Sequence, residues 1–189
     1  MNFKIPTPPQ WLDNALSHFD EVLVDHAHCE KKAAASALSL LQAYPQVPGL
    51  ALQMAALARE EASHLVRVLQ YMAARSLSLG KDRGDPYAQG IQAMLRTGER
   101  ERQLDRLLMA GIIEGRSCER LELLAAKHPE AEFRDFYAEL AQSEGGHERL
   151  FVRLAETVAG EAVVATRLEE MLGGEAELIR RLPIRNAMH

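Results

Sequence analysis

Two Glu-x-x-His pairs stand out in this chain: Glu61-Ala62-Ser63-His64 and Glu144-Gly145-Gly146-His147. Residues three apart share a helix face, so each pair can aim a carboxylate and an imidazole at one point. Taken singly, such a pair is common on solvated helices. Their partners make them unusual. Reflecting Glu61 about the break at Tyr44 to Pro48 lands on Glu30, and reflecting Glu144 about Pro129 lands on Glu114. An antiparallel helical hairpin brings residues equidistant from its turn to the same height. Each hairpin therefore offers one Glu opposite one Glu-x-x-His at matching depth, and the two sets are spaced almost equally along the chain.

All four carboxylates lie on apolar stripes. Glu30 follows Leu23 and Ala27, and Glu61 sits among Met54, Leu57, Leu65 and Val68. Glu114 follows Leu107 and Leu108, and Glu144 lies among Phe136, Leu140 and Phe151. At helical spacing these are core faces. Buried carboxylates that converge without cations repel one another and are costly. Two divalent ions would offset four negative charges, with two neutral imidazoles completing the ligand set. Four carboxylates and two histidines suit iron or manganese. One Glu from each of two helices plus Glu-x-x-His from the other two is how helical bundles hold such metal pairs. The expected ligands are Glu30, Glu61, His64, Glu114, Glu144 and His147. His26, one turn before Glu30, and Tyr137, before Glu144, are expected at most to support a ligand. Gly145-Gly146, and Gly111 and Gly115 around Glu114, are expected either to leave room for a substrate or to let helices pack closely.

The elements follow from these positions. Apolar spacing predicts long helices over about 11–43, 50–79, 99–127 and 130–158. Tyr44-Pro45-Gln46-Val47-Pro48-Gly49 and His128-Pro129 separate the members of each hairpin. GKDRGDP, residues 80–86, opens a longer crossover with a short helix from Tyr87 to about Arg96. One or two helices follow over 161–181, with Gly173-Gly174 between them. The expected architecture is all-α: four long helices in two hairpins, a crossover between them and an extra C-terminal helical segment. At 189 residues it reads as one domain, 1–189, with the bundle core over about 11–158 and the tail over 159–189.

Composition agrees: the chain is 47% hydrophobic, 26% charged and only 5% aromatic, with a formal charge of −5. It contains no apolar run long enough for a membrane span and no basic-then-apolar leader. Cys29 and Cys118 form no CxxC pair, so a reducing, cytoplasmic setting is expected.

The strings DHAHCEKKAAASAL (25–38), LAREEASHL (57–65), MAGIIEGRSCERL (109–121) and YAELAQSEGGHERLF (137–151) carry a more specific signal. In these the chain resembles the ferritin-like superfamily and, more narrowly, the tRNA 2-methylthio-N6-isopentenyladenosine hydroxylases. All six ligand positions of that family are filled. The resemblance implies a ferritin-like four-helix bundle. It implies an oxygen-dependent monooxygenase with two non-haem iron ions, O2 as co-substrate and a tRNA substrate. The reaction would hydroxylate the isopentenyl group of the modified adenosine in the anticodon loop. No flavin or iron–sulfur motif is present, so electrons would come from an external reductase or ferredoxin-type donor. A monomer or small homo-oligomer without membrane attachment is expected. Arginines cluster at 96–106, at 116 and 120, and at 180–185, and forked guanidinium groups suit phosphates. Arg180, Arg181 and Arg185 are the expected tRNA contacts. The alternative is a ferritin-like ferroxidase, iron store or peroxide-handling di-metal protein. Against it stand the long crossover, the C-terminal tail and the missing rubredoxin-like cysteines.

Overall fold

The computed structural model describes residues 1–189, and every regular element in it is helical. In chain order these are α1 (Pro9–Ser17), α2 (Phe19–Ala43), α3 (Leu50–Ala74), α4 (Pro86–Gln92), α5 (Glu99–Lys127), α6 (Ala131–Ala159) and α7 (Glu161–Arg181). The chain divides into two compact units. One comprises residues 13–84 and 185–188, and the other residues 1–12, 85–184 and 189.

In the first unit α2 pairs with α3. Their apolar stripes, including Leu23, Ala27, Ala37 and Leu40 on α2 and Met54, Leu57, Val68 and Met72 on α3, are buried. The hairpin turn closes at Gly49, whose φ of 76° is a left-handed conformation that glycine adopts without strain. Asp20 and Glu21 lie in the first turn of α2, where carboxylates complement the helix dipole.

In the second unit α5 pairs with α6, and α7 packs against α4, α5 and α6. Their turn is tied by side chains. His128 Nδ1 accepts from Glu130 N at 3.1 Å, and Arg134 Nη1 donates to His128 O and Pro129 O, each at 2.9 Å. Asp85 caps α4 by accepting from Tyr87 N and Ala88 N, with Pro86 in the first helical position. The tail is anchored by charge. Fully buried Asp105 on α5 takes Arg96 from the crossover and Arg167 from α7 at 2.7–3.0 Å. Arg116 on α5 is fully buried and donates to Glu175 on α7 through Nε (3.0 Å) and Nη2 (2.7 Å). Tyr87 OH donates to the same Glu175 oxygen at 3.1 Å.

Four boundaries differ from the sequence expectation, one being α4, which ends at Gln92 rather than about Arg96. The first long helix is broken at His18, which separates α1 from α2. α3 ends at Ala74 rather than 79, because Ser76 turns into a left-handed conformation (φ 58°). α7 runs unbroken through Gly173-Gly174, with Gly174 receiving the Met94 side chain.

Candidate metal centre

Each unit carries one Glu/Glu/His set, built the same way. On the α2–α3 hairpin, Glu30 follows Ala27 by three residues and Glu61 follows Leu57 by four, so both continue buried core stripes. Glu30, Glu61 and His64 are all buried. His64 Nδ1 lies 3.6 Å from Glu30 Oε2 and 3.5 Å from Glu61 Oε2. Burial alone would lower the His64 pKa, but the nearby carboxylates of Glu30 and then Glu61 outweigh it and raise it to about 9. Glu30 is held from its other side: His26 Nε2 donates to Oε1 at 2.7 Å. Glu30 Oε2, the oxygen that faces His64, is buried and accepts no hydrogen bond.

On the α5–α6 hairpin, Glu114, Glu144 and His147 are likewise buried. His147 Nδ1 stands 3.9 Å from Glu114 Oε2 and 3.8 Å from Glu144 Oε2. Its other ring nitrogen, Nε2, lies 3.4 Å from Ser143 Oγ one turn earlier. In both sets, then, Nδ1 is the nitrogen turned toward the carboxylates.

These residues fit a metal. Donors bound to one ion at about 2.1 Å lie no more than about 4.2 Å apart, and the histidine-to-carboxylate separations in each set satisfy that. A buried carboxylate oxygen without a hydrogen bond is an acceptor left for a cation. Hard carboxylates with imidazole match iron or manganese rather than a closed thiolate zinc site.

Other expected residues fall as follows. Tyr137 is buried, with its ring 5.1 Å from that of Phe136 and 6.3 Å from that of Phe133. A Cβ on Gly145 would meet Arg149 Nη1 at 3.4 Å and Cys118 Sγ at 3.5 Å, ordinary contacts, whereas one on Gly146 would meet nothing within 4 Å. On α5, a Cβ on Gly111 would press on Phe151 Cβ at 3.3 Å, and one on Gly115 on Glu148 and Phe3 at 3.2 Å. Gly111 and Gly115 therefore serve close packing, and Gly146 leaves open space. Arg116 and Arg120 lie in the interior and are not phosphate ligands. Arg180 is exposed and pairs with Glu177, whose carbonyl also accepts from Arg181 Nε at 3.3 Å. Arg185 Nη2 donates to Gly84 O at 3.3 Å. Sequence spacing showed nothing for His28 or His189. His28 Nε2 donates to Leu79 O at 3.1 Å, and His189 lies 3.3 Å from Asp85 and 3.0 Å from Ser117 Oγ. These partners come from distant segments that no local period marks.

Two helical hairpins, each with a buried Glu opposite a Glu-x-x-His, define a ferritin-like helical fold with carboxylate-rich sites able to hold metal. The family model described as tRNA-(MS[2]IO[6]A)-hydroxylase (MiaE) matches residues 2–189. The chain belongs to that family, a family of enzymes. It is 37% identical over 148 residues to the tRNA 2-(methylsulfanyl)-N(6)-isopentenyladenosine(37) hydroxylase of Pseudomonas putida, covering 78% of this chain and 72% of that protein. It is 28% identical to the protein of the same name from Salmonella typhimurium, covering 75% and 70%. Among solved structures it resembles Protein 43 with aldehyde deformylating oxygenase activity from Synechococcus. That match has a TM-score of 0.94 and 36% identity, over 99% of this chain and 94% of the other. The fold is thus all-α and ferritin-like. No helix is long and apolar enough to cross a membrane.

Proposed function

We propose that the chain hydroxylates the isopentenyl group of 2-methylthio-N6-isopentenyladenosine in the anticodon loop of tRNA. It would do so as a non-haem di-iron monooxygenase with O2 as co-substrate. The observation that carries this reading is the pair of buried Glu/Glu/His sets in a member of a tRNA-hydroxylase family. The six residues Glu30, Glu61, His64, Glu114, Glu144 and His147 would hold two iron ions in a single domain, 1–189. Its bundle core spans about 11–158 and its tail 159–189. Family membership favours this reading over a ferroxidase or iron store.

The bound irons supply the redox chemistry that activates dioxygen. The chain's own residues do the rest. Four carboxylates would offset the metal charge, and Ser143 Oγ stands by the remaining ring nitrogen of His147. His26 fixes Glu30 through Oε1 and leaves Oε2 to the metal. The apolar stripes around the ligands exclude water, so that the oxidising equivalent meets carbon rather than solvent. The stoichiometry consumes one O2, two electrons and two protons per hydroxyl group formed, with the second oxygen leaving as water. The electrons come from a separate reductase or ferredoxin-type donor. The protein works in the cytoplasm, as a monomer or small homo-oligomer.

Mass analysis of tRNA nucleosides from a strain lacking the protein tests the reading. The hydroxylated adenosine should vanish and its unhydroxylated precursor accumulate. An unaltered nucleoside profile refutes it.

A further inference from the structure

The α2–α3 unit carries a preorganised cluster of cations next to Glu30 in the chain. Directly after that ligand come Lys31 and Lys32, and both point at one carboxylate. Asp82 Oδ2 lies 3.4 Å from Lys31 Nζ and 3.7 Å from Lys32 Nζ. Its other oxygen accepts from Gly84 N at 2.8 Å. The loop that holds Asp82 is tied to α2. His28 Nε2 donates to Leu79 O at 3.1 Å while His28 Nδ1 accepts from Lys31 Nζ at 2.9 Å. Gly80 (φ 62°) and Gly84 (φ 78°) supply its two left-handed bends. Arg185 closes the far side by donating to Gly84 O.

Charge does not balance in this construction. Two ammonium groups share one carboxylate, and Lys81 and Arg83 on the same loop are exposed and pair with no acid. Lys32 Nζ is shielded from solvent yet makes no hydrogen bond. The Lys32 side chain is itself about a third exposed, and a cation with unused donors is a place where an anion gains. Lys81, Arg83 and Arg185 line a groove of about 740 Å³, larger than a single ion needs, and Lys31 and Lys32 lie outside its lining. Its opposite wall is acidic, but two of those groups are engaged. Asp20 takes Arg75 Nε at 2.7 Å, and Asp25 accepts Met188 N at 2.8 Å. Glu21 remains exposed, which confines an anionic strand to the loop side.

We infer that this cluster, Lys31, Lys32, Lys81, Arg83 and Arg185 braced by Asp82, grips the sugar–phosphate backbone of the tRNA substrate. The assignment rests on the proposed function. It shifts the main contact from the end of α7, where Arg180 and Arg181 engage Glu177, to the crossover loop, and keeps Arg185. Phosphate contacts of this kind set register without reading bases. Lys31 and Lys32 stand at the level of Glu30 around one helix, about 10 Å across. A backbone held there places a nucleotide splayed from the loop within reach of the ligand-bearing face, as base-modifying enzymes require.

The test uses the full, iron-loaded chain and a fluorescent anticodon stem-loop carrying the modified adenosine. Binding is followed by anisotropy over a KCl series. The double variant Lys81→Glu/Arg83→Glu should bind at least about tenfold more weakly, with the log–log salt slope reduced by about 1.5. Iron content and helicity should match wild type. The Arg180→Glu/Arg181→Glu variant should stay within about twofold of wild type. Unchanged affinity and slope in the Lys81/Arg83 variant, or a larger loss at Arg180/Arg181, overturns the assignment alone. A wild-type protein that does not bind the stem-loop overturns both the assignment and the proposed function. Should charge reversal disturb the fold, Lys81→Gln/Arg83→Gln answers the same question, and an unchanged slope there is equally fatal.

Discussion

Replacing Arg116 with methionine should be among the most damaging single changes outside the candidate metal centre. The side chain is fully buried, and so is its partner Glu175. It donates twice to Glu175, once to Ile5 O at 3.1 Å and once to Thr7 Oγ1 at 3.2 Å, and it pairs with Glu119. Methionine fills much of the volume but deletes every donor. Glu175 would keep only Tyr87 OH at Oε1, in a place where its other oxygen, Oε2, already has no hydrogen-bond partner. Breaking a buried ion pair from one side costs about 3–5 kcal/mol, because the remaining charge stays desolvated. For a chain of this length each kcal/mol shifts Tm by about 2–4 °C, so the melting point should fall by about 6–20 °C. The decisive assay is urea unfolding of metal-free protein in a double-mutant cycle. Arg116→Met/Glu175→Met should lose much less than the sum of the two single variants, since it removes the stranded charge as well. A loss below about 1 kcal/mol for Arg116→Met, or strict additivity in the cycle, would refute the reasoning.

His64 makes the metal-free protein sensitive to base. Its folded pKa of about 9 exceeds the ordinary 6.5, so its contribution to stability is full below pH about 6.5 and disappears as pH rises through about 9. Up to about 3 kcal/mol is at stake. Thermal melts from pH 6 to 10 should show the decline in wild type and a flatter profile in His64→Gln, and identical profiles would count against it. Glu61→Ala should lower bound iron to one ion per chain or fewer, read by metal analysis, and full occupancy would remove Glu61 from the ligand set. Gly146→Ala should stabilise the protein by about 1 kcal/mol because its Cβ enters open space, while Gly174→Ala should gain less because its Cβ would push the Met94 side chain aside. Chemical denaturation of the two variants decides, and an equal or larger gain at Gly174 would show the helix environments misjudged.

The legible part of the molecule was the part with a period. Glu30 and Glu114 could be found by reflection because antiparallel helices convert distance from the turn into height, and apolar stripes run straight through the candidate positions. Asp85-Pro86 announced α4 through its own capping chemistry. The break at His18 escaped notice because apolar spacing continues across it and neither glycine nor proline marks it. α7 passes Gly173-Gly174 because packing outweighs the roughly 2 kcal/mol that two interior glycines cost. Asp105 with Arg96 and Arg167, and Arg116 with Glu175, join segments far apart in the chain. Nothing in local spacing tells an interior arginine from one on a wet face, which is why Arg116 and Arg120 read as surface charge.

Each Glu/Glu/His set is closed by one hairpin of neighbouring sequence, and that has a consequence during synthesis. Helical hairpins of low contact order form quickly compared with the pace of the ribosome. Glu30, Glu61 and His64 can therefore gather once α3 has emerged, before Glu114 has been translated. The nascent chain would carry a half-built anionic nest, able to recruit its first cation while the rest of the polypeptide is still being made.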